Sequence, residues 1–226
     1  AAAVASLNSS ARQSSAGAPG AQSSALSSEL SAPGPFDSRA SLVICPASLL
    51  ENWRRESARF APQLRTFVHH SSNRLESSAD FASHDLIITS YGTLARDQDL
   101  FTSIEFACVI ADEAQHIKNP DSQNAKAASA LKSGARFILT GTPLENSIRD
   151  LWSLFDFLIP GYLGSRKDFQ DRYEKPLAEG ARESVWPRLL RRVKPRMLRR
   201  NKKDILTELP DKIEQLVEVE LTPDQK

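Results

Sequence analysis

Residues 106–115 read FACVIADEAQ, an apolar run that ends in two adjacent carboxylates. A short run of this kind, with no apolar-polar alternation, predicts a strand buried on both faces of a parallel sheet. In open α/β sheets, ligands bind outside the carboxyl ends of the strands. We therefore expect Asp112 and Glu113 to stand at a ligand-binding edge of the sheet.

The acidic pair has the arrangement known as Walker B. Asp112 can hold Mg²⁺ through water, because Mg²⁺ keeps several waters and takes only one or two carboxylates. Glu113 can orient or deprotonate an attacking water molecule. The alternative is a strand that merely ends in a solvated acidic turn. An isolated Asp-Glu favours that alternative, whereas the apolar run before this pair favours the site.

A second segment, residues 137–146, reads FILTGTPLEN. It predicts a strand that ends in two threonines, Thr140 and Thr142, around Gly141. The threonine hydroxyls can hydrogen-bond to the carboxylates or the water of the neighbouring strand, and the glycine permits close backbone approach. An ordinary Thr-Gly-Thr-Pro turn is the alternative.

Outward from these segments, short apolar runs alternate with helical patterns. Strands are predicted at 42–45, 66–69, 85–89, 106–111 and 136–140, and helices at 48–60, 91–95, 122–131 and 151–158. Ser48 and Glu51 have the spacing of a capping box at the start of the first helix. The alternation predicts an α/β fold, in which a parallel sheet is flanked by helices.

The two ends of the sequence differ from this central part, which we place at 41–160. Within residues 1–40, we expect 1–7 to be the end of a helix and the Ser/Ala-rich remainder to be a flexible insertion. Residues 161–226 are expected to be a helical, basic extension that ends in a closing strand at 213–221. The prolines at 176, 187 and 195 are expected to interrupt its helices. Residues 188–203 contain nine basic residues and no acidic one, which is typical either of a phosphate-binding surface or of a solvated helix face.

Composition excludes several classes of protein. Lys+Arg 29 against Asp+Glu 28 gives a net charge of +1, so the overall charge identifies no partner. Two cysteines exclude a disulfide-dense secreted scaffold. No uncharged apolar run approaches the roughly 20 residues of a membrane helix, so we expect no membrane partner. Because the sequence begins with Ala and contains a single Met, Met197, we expect it to be part of a longer protein.

Six segments together resemble the Swi/Snf family of ATP-dependent DNA translocases in helicase superfamily 2. Their order and spacing are similar to those of the first RecA-like lobe of that family, over about residues 41–226. The segments are LVICPASLLENWRRE (42–56), LIITSYGTL (86–94), VIADEAQHIKNP (109–120), LTGTPLEN (139–146), LWSLFDFLIPGYLGS (151–165) and MLRRNKKDILTELPDK (197–212).

The resemblance implies a role for each motif. Asp112 would hold Mg²⁺, Glu113 would act on water, and Gln115 would sense ATP or couple it to the other lobe. The residues that would link hydrolysis to movement are Thr140, Gly141 and Thr142. Those that would lie along double-stranded DNA are Pro46, Ala47, Ser48, Thr89, Ser90 and Tyr91. Arg199 and Arg200 would contact DNA or, as part of the brace between the lobes, protein. For Trp53, packing of its helix against the sheet is the preferred interpretation.

Two parts that the family requires do not occur in these residues. None of the nine glycines is followed by Lys, so the phosphate-binding loop G-x-x-x-x-G-K-[S/T] is absent from the sequence. The second lobe, which supplies the arginine finger and half of the DNA track, is absent too. We therefore expect this chain alone to hydrolyse no ATP, although the longer protein would do so.

Several alternatives remain at this point. A degenerate lobe that binds DNA or protein without catalysis is the main one, and an RNA helicase is the second. The motor would act on double-stranded DNA together with its second lobe, and possible substrates include a DNA-bound protein. Its location would be the nucleus in a eukaryote and the cytoplasm or nucleoid in a bacterium.

Overall fold

A computed structural model of the chain describes residues 2–7, 39–141 and 148–199; for residues 2–7 and 199 it describes the backbone alone. Within these ranges, seven strands form one sheet in the order β3-β4-β2-β5-β6-β1-β7. Their bounds are β1 Ala2–Leu7, β2 Ser41–Cys45, β3 Thr66–His69, β4 Leu86–Ser90, β5 Glu105–Asp112, β6 Lys132–Thr140 and β7 Met197–Arg199. The first five strands in this order pair in parallel, which confirms the predicted parallel sheet.

Helices cover the sheet and form the C-terminal part of the described chain. The longer ones are α1 Leu50–Phe60, α3 Tyr91–Arg96, α5 Gln123–Ser129, α6 Ile148–Leu158 and α9 Arg182–Val193. The shorter ones are α2 Ser78–Phe81, α4 Gln98–Thr102, α7 Arg166–Phe169 and α8 Lys175–Ala178. Single turns of 3₁₀-helix span Ala47–Leu49, Ala114–Ile117 and Lys194–Arg196, and a π-helical turn spans Gln170–Glu174. Within the described ranges, no helix is long and apolar enough to cross a membrane.

The apolar strands have a core on each face of the sheet. In β2, Leu42 and Ile44 belong to the larger core, whereas Val43 and Cys45 belong to a smaller one beneath α1. All four side chains are fully buried. A strand buried on both faces has no polar side to alternate with, which explains the continuous run of apolar residues at 42–45.

Phe101 lies at the centre of an aromatic group in the larger core. Its ring is 5.5 Å from the ring of Phe81, 6.3 Å from that of Phe106 and 5.0 Å from that of His69. All four side chains have an exposed fraction of 2% or less. Removing the Phe101 ring would therefore leave a cavity and remove its contacts with neighbouring rings on several sides at once.

We expect Phe101→Ala to lower the free energy of unfolding by about 3–5 kcal/mol, the usual cost of removing a buried phenylalanine ring. Urea unfolding of the chain measures this loss. The matched control is Phe60→Ala, because the Phe60 side chain is 71% exposed. Its cost should stay within about 1 kcal/mol. Equal losses in the two variants would contradict the central place of Phe101 in the core.

The prediction of a helix at residues 1–7 is wrong, because these residues contain strand β1. This strand pairs antiparallel with β6 on one side and with β7 on the other. Alanine favours helix by at most about 0.7 kcal/mol per residue over the ordinary residues other than glycine and proline. Two ladders of backbone hydrogen bonds satisfy the amides of the segment and outweigh that preference.

The predicted capping box at Ser48 is also wrong. Ser48 lies in the 3₁₀ turn Ala47–Leu49, and the α1 helix begins after it with no side-chain cap. Glu51 instead accepts hydrogen bonds from Arg54 at 2.7 Å and from Arg55 at 2.9 Å on the same helix. The cationic partners three and four residues later compete successfully for the carboxylate.

The C-terminal segment is helical as predicted, but Pro187 does not interrupt its helix. The proline lies inside α9, where it removes one hydrogen-bond donor. Val185, Leu189 and Val193 are buried on one face of that helix at a spacing of four residues. Burial of this stripe keeps the helix continuous. Of the predicted insertion at 8–40, residues 8–38 lie outside the described residues. The predicted closing strand at 213–221 lies outside them as well.

Candidate functional site

Asp112 is the last residue of β5, and its carboxylate is held by two hydrogen bonds. One oxygen, Oδ1, accepts the backbone N–H of Glu113 at 2.9 Å. The other, Oδ2, accepts the indole N–H of Trp53 at 2.8 Å. The strand lies between β2 and β6, where Ala111 is paired with Ile44 and Asp112 with Leu139. The orientation of the carboxylate is thus fixed by its own backbone and by helix α1.

Glu113 has a left-handed backbone, with φ 50° and ψ 55°. A non-glycine residue in this conformation costs about 1–3 kcal/mol, and such strain is often found at functional sites. The turn ends the strand sharply and begins the 3₁₀ turn Ala114–Ile117. Within that turn, Gln115 Nε2 donates to Glu113 Oε2 at 3.0 Å. The structure thus brings together the three residues predicted for catalysis, Asp112, Glu113 and Gln115.

Trp53 has a second role that the sequence did not reveal. As predicted, its helix packs against the sheet, and the indole covers the smaller core that includes Val43 and Ile88. The hydrogen bond to Asp112 was not predicted, because the two residues are 59 positions apart in the sequence. The position of Trp53 early in a helix after strand β2 is the only signal that could have indicated it.

Tyr91 also supports the acidic turn. Its hydroxyl donates to the backbone carbonyl oxygen of Asp112 at 2.7 Å, and its ring stacks on His116 with centroids 5.1 Å apart. Burial, together with the negative charge of Asp112, raises the pKa of the Tyr91 hydroxyl. The same two causes raise the pKa of the Cys45 thiol to about 12, so this buried thiol stays protonated.

A groove with a volume of about 470 Å³ lies beside the acidic turn. It brings Pro46 and Ala47 together with Ser90 and Tyr91, four of the residues predicted to contact DNA. The remaining residues that line it were not predicted: His70, Ser71, Gly92, Thr93, Arg96, His116 and Asn124. The groove therefore joins the segments that follow β2 and β4, as expected for strands whose carboxyl ends meet at one edge.

The predicted DNA-contact residues differ in how far they are exposed. Ser48 is exposed in the 3₁₀ turn before α1, whereas Thr89 is fully buried. The Thr89 hydroxyl donates to the backbone carbonyl oxygen of His69 at 2.9 Å, so this side chain does not reach the groove surface. Ser90 is largely buried too, and its hydroxyl accepts the Thr93 N–H at the start of α3.

The threonine segment lies at the end of β6, next to the acidic strand. Thr140 is buried there. A Cβ atom added at Gly141 would meet no atom within 4 Å, so the described part of the chain does not itself require glycine at this position. Thr142 lies outside the described residues. The predicted coupling role of the three residues stays a prediction.

The acidic turn fits a magnesium ion that is held mainly by water and phosphate. Each Asp112 oxygen accepts one hydrogen bond and therefore keeps a lone pair for a further contact. Carboxylate oxygens are the ligands that Mg²⁺ prefers. Among the described residues no cluster of three or more metal-binding side chains occurs, so a site here would rest on one or two carboxylates.

The basic segment forms a second concavity, also of about 470 Å³, far along the chain from the acidic turn. The guanidinium of Arg188 lies 5.6 Å from the Tyr173 ring centroid, and that of Arg192 lies 5.2 Å from the Tyr162 centroid. Arg192 also donates to the Tyr162 carbonyl oxygen at 2.6 Å. The lining residues are Tyr162, Arg172, Tyr173, Arg188, Arg191 and Arg192.

None of the described residues that line this concavity is acidic, which suits an anionic partner. The guanidinium groups of Arg188 and Arg192 stack on tyrosine rings. The choice between a phosphate-binding surface and a solvated helix face stays a prediction. Arg199 ends strand β7, and Arg200 lies outside the described residues. The choice between DNA and protein as the partner of Arg199 and Arg200 stays a prediction.

Comparison with known families gives one match over nearly the whole chain. Residues 5–226 match the profile of the SNF2-related domain. The chain is 41% identical over 184 residues to an uncharacterized ATP-dependent helicase of Mycoplasma pneumoniae, covering 81% of this chain and 18% of the relative. It is 39% identical over 199 residues to the TATA-binding protein-associated factor MOT1 of Saccharomyces cerevisiae, covering 82% of this chain and 11% of the relative.

A solved structure agrees with these matches. The SWI2/SNF2 ATPase core of Sulfolobus solfataricus in complex with double-stranded DNA superimposes with a TM-score of 0.68 at 42% sequence identity. The match covers 82% of this chain and 39% of that chain. The chain thus spans about 11–18% of the length of the two curated relatives, and less than half of the solved core.

Proposed function

The chain belongs to the SNF2-related family, and on that premise we propose that it is one RecA-like lobe of an ATP-dependent motor that moves along double-stranded DNA. The observation that carries the proposal is the acidic turn at the carboxyl end of β5, with Asp112 held by two donors. Two similar proteins support the proposal, namely an uncharacterized ATP-dependent helicase and a SWI2/SNF2 ATPase core in complex with double-stranded DNA.

In the proposed mechanism, the acidic turn acts on the water that attacks the terminal phosphate of ATP. Asp112 would hold Mg²⁺, which when bound neutralises charge on the phosphates. Glu113 accepts the proton of the water, and its carboxylate is kept in place by the hydrogen bond from Gln115. The sequence contains no phosphate-binding loop, so the grip on the triphosphate is assigned to other parts of the full-length protein.

The groove is proposed to take one DNA strand. Ala47, Ser48 and Arg96 offer a backbone turn, a hydroxyl and a cation near its surface, which are common partners of phosphate oxygens. Such contacts position a duplex without reading its sequence. We propose that a second lobe of the same protein completes the DNA track and that a DNA-bound protein is displaced by the movement.

The test is ATP hydrolysis by the full-length protein with and without duplex DNA, combined with displacement of a third strand from a triplex. Stimulation by duplex DNA together with displacement supports the motor. Stimulation by RNA alone would favour an RNA helicase. No hydrolysis under any of these conditions would favour a degenerate lobe that binds without catalysis.

We further propose that the 226 residues alone hydrolyse no ATP. Their sequence includes the acidic turn but neither a phosphate-binding loop nor a second lobe. An arginine finger by itself contributes about 10³–10⁵ in rate in phosphoryl-transfer enzymes.

The arginine concavity is proposed to be a phosphate contact, and salt dependence tests this. Arg191→Gln in the full-length protein should weaken duplex binding equally for all DNA sequences and lower the slope of log K against log salt by about 1. The control is Arg59→Gln, because Arg59 stands in the last turn of α1 and is not among the residues that line the groove or the arginine concavity. Its salt slope should equal that of the wild type. An unchanged slope in Arg191→Gln would assign the concavity to a protein partner instead.

A further inference from the structure

Two of the chain segments that line the groove, those that follow β2 and β4, also lead to a hydrogen bond with Asp112. Tyr91, which follows β4, donates to its backbone carbonyl at 2.7 Å. Trp53 belongs to the segment that follows β2, and it donates to its carboxylate at 2.8 Å. Tyr91 lines the groove and Trp53 lies on the helix that follows the groove residue Ala47, and both donate to the residue assigned to the metal.

Of the two donors, Trp53 is the one that hydrogen-bonds to the carboxylate and so determines its orientation. Oδ1 is held by the N–H of the next residue and therefore moves with the strand. Oδ2 is held only through helix α1 among the hydrogen bonds described, so rotation of the carboxylate depends on where that helix lies.

The position of α1 is in turn tied to the groove. The helix begins at Leu50, directly after the 3₁₀ turn Ala47–Leu49, and Ala47 lines the groove while Ser48 is exposed beside it. Trp53 is the fourth residue of the helix, and its ring rests on the smaller core of the sheet. A shift of the turn on contact with a phosphate would therefore shift the indole N–H as well.

We propose that Trp53 is a positioning residue that couples occupancy of the groove to the orientation of the Asp112 carboxylate. This inference rests on the proposed function, because it assigns the groove to DNA and Asp112 to the metal. It adds a physical route by which DNA could stimulate hydrolysis: contact at Ala47 and Ser48 seats α1, and the indole N–H then fixes the oxygen that faces the metal.

The activity test compares two tryptophan variants of the full-length protein. Trp53→Phe keeps an aromatic ring on the core but removes the N–H. Trp152→Phe is the matched control, because the Trp152 indole also donates a hydrogen bond, at 3.1 Å, but to the carbonyl of Gly164. Both variants lose one indole hydrogen bond, and only one of these bonds reaches Asp112.

We expect Trp53→Phe to raise the Mg²⁺ concentration for half-maximal hydrolysis by about tenfold to a hundredfold, as is usual when a partner of a metal-binding side chain is removed. Its stimulation by duplex DNA should fall as well. Trp152→Phe should keep the wild-type Mg²⁺ requirement. A wild-type Mg²⁺ requirement and full DNA stimulation in Trp53→Phe would overturn the inference.

A second readout needs no activity. The indole ¹H–¹⁵N signal of Trp53 in the 226-residue chain, assigned with Trp53→Phe, should move in Asp112→Asn and on addition of a short duplex DNA. The Trp152 signal should stay in place in Asp112→Asn. A Trp53 signal that stays in place in either experiment would overturn the inference, whatever the ATPase assay gives. Absence of hydrolysis in the wild-type protein would instead count against the proposed function, and the indole signals would still decide the role of Trp53.

Discussion

Replacing Glu113 by glutamine in the full-length protein is expected to lower DNA-stimulated ATP hydrolysis by about 10²–10⁴. That range is the usual contribution of a positioned general base. The amide has nearly the same shape as the carboxylate but cannot accept the proton of the attacking water. Its oxygen can still accept the hydrogen bond from Gln115, so the turn should keep its structure. The measurement is the steady-state rate at saturating ATP and duplex DNA.

The control for this variant is Glu105→Gln, the same chemical change at the other end of the same strand. The Glu105 carboxylate is 60% exposed and pairs with Arg39, an interaction worth at most about 1 kcal/mol. Its loss should leave the rate unchanged. Wild-type activity in Glu113→Gln, or an equal fall in both variants, would mean that the acidic turn does not act on water.

The second large effect concerns the 226 residues alone, for which we expect no ATP hydrolysis above background with or without DNA. The acidic turn is present, but a general base contributes only part of the acceleration. A triphosphate that is not gripped is not held in line with the attacking water, and positioning and charge stabilisation provide most of the catalysis in phosphoryl transfer.

The measurement is phosphate release by the purified chain, next to the full-length protein at equal molar concentration. Retained folding of the isolated chain, checked by a cooperative urea transition, makes a negative result meaningful. Hydrolysis that is stimulated by DNA and lost in Glu113→Gln would show that these residues suffice, and would contradict the assignment of the phosphate grip to other parts of the protein.

The parts of the fold that could be predicted are those where one physical effect dominates. Strands β2 and β5 are apolar because helices cover both of their faces, so their sequence alone identifies them. Residues 1–7 could not be predicted in this way. Alanine is compatible with either structure, and pairing with distant strands β6 and β7 decides the outcome.

The geometry of the candidate site could likewise be predicted only in part. The place of Asp112 and Glu113 at the carboxyl end of a strand could be predicted, because the apolar run before them identifies that strand. The hydrogen bond from Trp53 joins residues that only the parallel pairing of β2 with β5 brings close. The burial of Thr89 could not be predicted in this way, because a residue next to a ligand-binding edge can still turn its side chain into the core.

The left-handed backbone at Glu113 limits which sequences can occupy this turn over evolutionary time. Valine, isoleucine and threonine are strongly disfavoured at φ 50°, whereas asparagine, aspartate and glycine tolerate it. Substitutions that abolish proton transfer but are compatible with the left-handed backbone conformation leave the fold intact. A duplicated gene in which such a substitution has abolished catalysis would still encode a folded lobe. That lobe could be retained in evolution as a binding protein. The strained backbone of the acidic turn therefore limits which substitutions can accumulate at Glu113 as the sequence diverges.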